Sequence, residues 1–281
     1  MSLTLDQVGP GTVTLVGVPW DVNSSQLAGP AAAPPVIRSV LFDPHANLSF
    51  EDGGNLWKHP RFADAGDMNL PQDRDAGFTA IVEATGTVLA RGGLVLALGG
   101  DHAVSYPLVK AHAEHRDEPF GIVQIDAHPD LYEEFDDNPY SHASGFARIM
   151  EGGLCSKLVQ VGIRASTPHQ REQAARYGVE TIDLSDDVSP ARMPDGPVYL
   201  SLDLDGLDPA FVPGVSHPEP GGLSTRDVIR LIQQMPGRLI GADVVELNPR
   251  RDPHGTTAGV AAKLVKEIAA RLLRDNATEN G

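Results

Sequence analysis

The chain has a single cysteine, Cys155, among its 281 residues, so it cannot form a disulfide within itself. It is also short of basic residues: 22 Lys and Arg stand against 38 Asp and Glu, a formal net charge of −16. Nucleic acids and anionic membranes need a basic face, so neither is expected as a partner. A small cationic ligand is compatible with this charge, although screening beyond about 8 Å makes solubility its plainest consequence. No apolar run approaches the roughly 18 residues that cross a bilayer. The stretch Met1 to Pro10 holds an acid and no basic apolar leader. A soluble, cytoplasmic protein is expected from these absences.

What is present is the composition of a folded protein, 41% hydrophobic with 29 Gly and 23 Pro, which points to many tight connections and away from disorder. Short runs rich in Val, Ile and Leu alternate with segments of helical spacing, the pattern of an α/β protein. Strands are expected at Thr12 to Val18, Arg61 to Ala65, Leu94 to Leu98, Phe120 to Ile125, Lys157 to Ile163, Val179 to Ile182, Val198 to Leu202 and Leu239 to Val245. Helices are expected at Gly77 to Arg91, Ser105 to His115, Gly145 to Met150, Pro168 to Tyr177, Thr225 to Met235 and Thr257 to Leu273, with a fraying tail from Arg274 to Gly281. Near-continuous apolarity in the strands suits a parallel sheet covered on both faces. No linker or repeat divides the chain, so one domain over residues 1–281 is expected. Pro19 to Trp57 is the least regular stretch and reads as a long loop.

Asp126-Ala127-His128-Pro129-Asp130 follows the run Phe120 to Ile125. If the chain stays extended past the strand, residues i, i+2 and i+4 share a face, and Asp126, His128 and Asp130 converge. Such a cluster repels itself and desolvates charge unless it lies in open water or holds a cation. Leu94 to Leu98 runs into Gly99-Gly100-Asp101-His102, and Tyr199 to Leu202 into Asp203-Leu204-Asp205-Gly206. Carboxyl ends of parallel strands lie along one edge, where ligands bind. Each piece alone also reads as a turn with a capping Asp. Strand after strand ending in Asp or His favours a joint metal site built from the three clusters. Carboxylate and imidazole without thiolate suit a harder divalent ion, Mn²⁺ ahead of Zn²⁺, Fe²⁺ or Co²⁺. Four Asp and two His exceed the needs of one ion, whereas two ions about 3.5–4 Å apart would balance the charge and activate water.

These motifs, in this order, resemble the ureohydrolases, the arginase and agmatinase superfamily. The resemblance runs from Val16-Gly17-Val18-Pro19 through the three clusters and Ser201 to Gly214 to Asp243-Val244-Val245-Glu246. It is nearest to the plant arginases in Asn138-Pro139-Tyr140-Ser141-His142-Ala143-Ser144, Phe146 to Glu151 and Gly214 to Gly222. It implies an arginase-like fold, a three-layer α/β/α domain with a mostly parallel sheet of about eight strands. It implies two Mn²⁺ per chain, one held by His102, Asp126, Asp130 and Asp203 and the other by Asp126, His128, Asp203 and Asp205, with Asp126 and Asp203 as bridges. Glu246 would bind a guanidinium group, His142 would move protons, and Asp130 would count among the catalytic groups. The implied reaction is metal-assisted hydrolysis of a small guanidino cation to urea and an amine. A homo-oligomer of three or six chains is implied as well.

The substrate's tail is read from the loops. Arginine carries an α-carboxylate that agmatine lacks, and Asn138, Ser141 and backbone N–H groups of the Leu131 to Ser141 loop offer donors for it. Glu133, Glu134, Asp136 and Asp137 in the same loop would instead suit a bare amine. Ala165 to Gln170 carries no acid, although arginases commonly place an α-ammonium contact there. Arginine is the first expectation and agmatine or guanidinobutyrate the second. A non-catalytic metal-binding protein and a one-zinc relative of the deacetylase type stay open beside them.

Overall fold

The computed structural model describes residues 4–185, 188–189 and 192–277. Eight strands form one sheet: β1 (Val13–Gly17), β2 (Phe62–Asp67), β3 (Leu94–Leu98), β4 (Gly121–Ile125), β5 (Lys157–Val161), β6 (Glu180–Ile182), β7 (Pro197–Asp203) and β8 (Arg238–Val245). Their order is β2-β1-β3-β8-β7-β4-β5-β6, and every pairing is parallel. The helices are α1 (Ala33–Leu41), α2 (Arg74–Ala90), α3 (Ser105–Glu114), α4 (Gly145–Glu151), α5 (Pro168–Tyr177), α6 (Thr225–Gln234) and α7 (Thr256–Asp275).

The side-chain alternation of the strands divides the interior into two layers. On one face Val123, Ile125, Leu200, Leu202 and Val244 pack against Ile37 of α1, Ile229 of α6 and Leu264 and Ile268 of α7. On the other, Ile122, Leu158 and Tyr199 pack against Ile81 of α2, Leu108 of α3 and Phe146 of α4. The expected α/β/α sandwich is therefore present, and all eight expected strands fall within it. Complete burial of a Leu or Ile side chain contributes about 1.5–3 kcal/mol, so these two layers carry most of the gain that opposes chain entropy.

Local chemistry sets the helix ends. Thr167 and Gln170 form a reciprocal capping box that starts α5, and Ser224 and Asp227 do the same for α6. Asp73 caps α2 by accepting from the Ala76 N–H, which starts that helix three residues before the apolar spacing does. One helix was not expected. Within the stretch Pro19 to Trp57, α1 begins at Ala33-Pro34-Pro35, where prolines occupy a first turn whose N–H groups have no helical partner in any case. Its buried face is Ala33, Pro34, Ile37 and Leu41. The tail expected to fray is helical as far as Asp275, and residues 278–281 lie outside the described ones.

The central strands β3, β8, β7 and β4 are consecutive neighbours in the sheet. Asp203 is the last residue of β7, Asp126 and Glu246 directly follow β4 and β8, and His102 lies four residues past β3, which explains how residues about a hundred positions apart meet at one edge. Glycine permits the closeness. A Cβ on Gly100 would stand 1.6 Å from the Trp20 carbonyl oxygen, and one on Gly206 would stand 2.8 Å from the Asp126 nitrogen.

Candidate metal centre

His102 opens a short 3-10 turn after β3, with Asp101 capping that turn through the Ala103 N–H. Asp203 ends β7 and accepts from the Asp205 N–H at 2.8 Å, while Asp205 accepts from the Ala127 N–H at 3.1 Å. The stretch after β4 does not remain extended. Asp126 Oδ1 accepts from the His128 N–H at 2.6 Å, so the chain turns at once, and Asp130 adopts a left-handed φ of 51°. The expected convergence of Asp126, His128 and Asp130 is real, but a side-chain-closed turn produces it and not strand alternation. Glu246, just past β8, is also left-handed at φ 65°. Backbone strain of this kind in non-glycine residues costs of order 1–3 kcal/mol each and gathers at functional sites.

These turns bring all six expected ligands together. His102 Nδ1 lies 2.9 Å from Asp126 Oδ2, 3.0 Å from Asp130 Oδ2 and 3.2 Å from Asp203 Oδ2. His128 Nδ1 lies 3.1 Å from Asp205 Oδ2 and 3.6 Å from Asp126 Oδ1. Asp126 thus turns one oxygen to each imidazole. Two groups with donor atoms close enough to share an ion result, His102 with Asp126 and Asp203, and Asp126 with His128 and Asp205.

The donors fit a divalent metal. His102 Nδ1 is buried and close to three carboxylate oxygens, yet it makes a directed hydrogen bond to none. Its other nitrogen fixes the tautomer. Asp243 accepts the Ser201 hydroxyl hydrogen at 2.7 Å, so Ser201 Oγ must accept from His102 Nε2–H at 2.9 Å, which leaves a lone pair on Nδ1 aimed at the carboxylates. Separations near 3 Å are those of donors sharing a small divalent ion with bonds of about 2.0–2.2 Å.

Without a cation the cluster must hold protons. Burial raises the Asp130 carboxyl to about 6, with the Asp126 charge adding to it. Burial, then Asp205 and Asp126, push Asp203 well above the carboxylate range. Burial opposes charge on the imidazoles, but their carboxylate partners outweigh it, raising His102 strongly and His128 to about 12. Burial would raise Asp126 too, yet His102 and His128 hold it below its ordinary value.

Glu246 Oε1 accepts the His102 backbone N–H and a hydrogen bond from His142 Nδ1, both at 2.8 Å. On its other side His142 Nε2 accepts from the Ser25 N–H at 3.2 Å and lies 2.9 Å from Ser25 Oγ. Burial disfavours a charged His142, but Glu246 prevails and raises it to about 9. These groups wall a cavity of about 200 Å³, lined on the metal side by His102, His128, Asp130, Asp203 and Asp205.

Asn138 and Ser141, expected to bind the substrate's tail, do not line that cavity. Asn138 is engaged within the loops, accepting from Arg74 and the Tyr140 N–H and donating to Asn23, and Ser141 caps the turn that carries His142. The lining there comes instead from Tyr132, Phe135, Ala165, Thr167 and Gln170, with His217 between the rings of His128 and His142. The sequence points to the Leu131 to Ser141 loop for the tail and to Ala165 to Gln170 only for its lack of an acid, and singles out none of these side chains. The signal for His217 lay in its place within Gly214 to Gly222, while Tyr132, Phe135 and Gln170 carry none of their own. The acids Glu133, Glu134, Asp136 and Asp137 are exposed and outside the cavity lining.

Residues 11–270 match the Arginase family, and the chain belongs to it. It is an arginase-like ureohydrolase, a metal-dependent hydrolase of small guanidino compounds. It is 47% identical over 278 residues to "Arginase 1, mitochondrial" of Arabidopsis thaliana, covering 93% of this chain and 81% of that one. It is 46% identical over 274 residues to the protein of the same name from Oryza sativa subsp. indica, covering 92% and 81%. The solved arginase of Medicago truncatula superposes with a TM-score of 0.87 at 44% identity, covering 93% of this chain and 87% of that structure. The expectation of a cytoplasmic protein is corrected by these relatives, since those from Arabidopsis and rice are named mitochondrial. One cysteine and an acidic composition do not distinguish among reducing compartments.

Proposed function

We propose that the chain hydrolyses arginine at its guanidinium carbon, yielding urea and the corresponding amine, with two Mn²⁺ per chain. The observation that carries this reading is the placing of Glu246 beside the six-residue cluster, five members of which line the same cavity as Glu246. His102, Asp126, Asp130 and Asp203 would hold one ion, and Asp126, His128, Asp203 and Asp205 the other. Such a pair supplies a water nucleophile ionised at neutral pH and offsets developing negative charge.

Glu246 presents a carboxylate to the cationic guanidinium. Its Oε1 is committed to His102 and His142, so Oε2 is the oxygen available for a guanidinium N–H. Asp130 also lines the cavity, where its carboxylate would take up a proton from the reacting group and pass it on. His142 links buried Glu246 to Ser25, which is exposed, so a proton taken or given at Nε2 has a route to water. The one-zinc and non-catalytic alternatives are less consistent with six intact donors and a paired Glu246.

The tail side of the cavity supports arginine over agmatine. Tyr132, Thr167 and Gln170 bring hydroxyl and amide groups, and the exposed acids of the 133–137 loop stay outside, so a carboxylate meets donors there and a bare ammonium meets no anion. The same lack of an acid favours a second reading, a guanidino acid without an α-amine such as guanidinobutyrate. We take the whole chain to act as one domain, since the ligands come from central strands of a single sheet, and to assemble as a trimer or hexamer as the family resemblance implies. The test of substrate is kcat/KM for arginine, agmatine and guanidinobutyrate under one Mn²⁺ condition. Arginine should lead, and agmatine ahead by about tenfold, or 1.4 kcal/mol, would reject it.

A further inference from the structure

Gln124 sits in β4, a strand buried along its whole length. It pairs in register with Gln160 on β5 and with Ser201 on β7; Gln160 pairs with Thr181 on β6, and Ser201 with Asp243 on β8. In-register residues of neighbouring parallel strands point to one face. The sheet therefore carries a polar row across five adjacent strands, two residues before Asp126 on β4 and two before Asp203 on β7. Below the row, on the same face, lie the apolar Ile122 and Leu158 and the ring of Tyr199, whose hydroxyl donates to Asp243 Oδ2 at 2.8 Å.

A buried amide left unpaired costs about 1–3 kcal/mol, so a row of this kind persists only if its members satisfy one another. They do. Gln124 Nε2 donates to Asp126 Oδ2 at 2.7 Å and to the His128 carbonyl at 3.2 Å, which uses both of its hydrogens. Gln124 Oε1 accepts from Gln160 Nε2 at 2.8 Å, and Gln160 Nε2 also donates to the Pro129 carbonyl at 2.8 Å. Carbonyls and ionised carboxylates only accept, so neither amide can be turned end for end without placing oxygen against oxygen. The other half of the row, Ser201 and Asp243, fixes the tautomer of His102.

We propose that Gln124 and Gln160 are positioning residues for the metal centre: Gln124 holds the Asp126 carboxylate that both donor groups share, and Gln160 holds the Gln124 amide with its nitrogen toward that carboxylate. Gln160 makes no hydrogen bond to a candidate ligand side chain, so its influence on the metals runs through Gln124, while its bond to the Pro129 carbonyl holds its own amide in place. This rests on the metal reading of the cluster.

The test uses Gln124→Met, Gln160→Met and the double variant, each near the original volume and each stripped of metal. Mn²⁺ dissociation constants are read from the paramagnetic resonance of free Mn²⁺, and melting of the metal-free forms is read by circular dichroism. Gln124→Met should weaken Mn²⁺ binding by about 10- to 100-fold, the range for groups that orient metal ligands. Gln160→Met should weaken it in the same direction by about 3- to 10-fold, a fraction of that range. The double variant should bind no more weakly than Gln124→Met by more than about twofold. Lower melting temperatures with unchanged Mn²⁺ affinity would show a purely structural row and overturn the proposal, and so would full additivity in the double variant. If Gln124→Met does not fold, Gln160→Met decides alone, with unchanged affinity counting against. Failure of the native chain to bind Mn²⁺ would refute the metal reading itself, a distinguishable outcome.

Discussion

His142 Nδ1 stands 2.8 Å from Glu246 Oε1, the same oxygen that accepts the backbone N–H of His102. One carboxylate oxygen thus ties the His142 imidazole to the turn that carries His102 and leaves the other for a cation. Glu246→Gln keeps the acceptor but puts an amide N–H where a guanidinium N–H must donate. We expect kcat/KM for arginine to fall about 100-fold, near 2.7 kcal/mol, with the metal count unchanged. The variant also removes the charge that raises His142 to about 9, so the pH profile of kcat should move to lower pH. Unchanged kinetics would remove Glu246 from the guanidinium site.

His142→Ala should retain both metals and lose turnover by about 100- to 1000-fold, because proton movement is removed and the donor set is not. Added imidazole should restore part of the rate. Metal analysis of the purified variant checks the assignment, since loss of metal would make His142 a ligand.

The pH dependence of metal binding follows from the buried carboxyls. Asp130 titrates at about 6 in the metal-free fold against an ordinary 3.8. A pKa raised by folding means that the protonated form favours the fold: this group's contribution is full below about 3.8 and is lost as pH rises through about 6. Metal needs the carboxylate, so Mn²⁺ affinity should rise across that window while protons are released. Calorimetric titrations at about pH 6 in two buffers of different ionisation enthalpy should give different heats. Equal heats would contradict proton displacement.

Asp126 directs one oxygen to His102 and the other to His128, whereas His102 serves one donor group. Asp126→Ala should therefore abolish binding of both ions and His102→Ala of one. Metal counts near zero and near one per chain, respectively, are expected. Equal losses would undo the bridging role.

Much of this architecture was legible because apolar runs and helical spacing are local. β3 and α5 appear with the expected limits, and the three Asp and His clusters all sit at or just past the ends of central strands. Where reading failed, a non-local or backbone effect was responsible. Pro34 and Pro35 resemble chain breakers until their first-turn position in α1 is known. The turn at Asp126 comes from its side chain accepting the His128 N–H, and Asp130 takes a left-handed backbone, neither of which periodicity registers. Asn138 had the chemistry for a substrate contact, but Arg74, Asn23 and Tyr140 take up its polar atoms. Gln124 lies in an otherwise apolar run, where a lone amide two residues before Asp126 is the visible mark of the polar row.

The most direct measurement adds Mn²⁺ stepwise to metal-free protein and follows urea released from arginine together with bound metal per chain. The account predicts no urea before metal is added, and a rate that reaches its plateau as occupancy approaches two ions per chain. Full urea release without metal, or a plateau at a single ion, would contradict it.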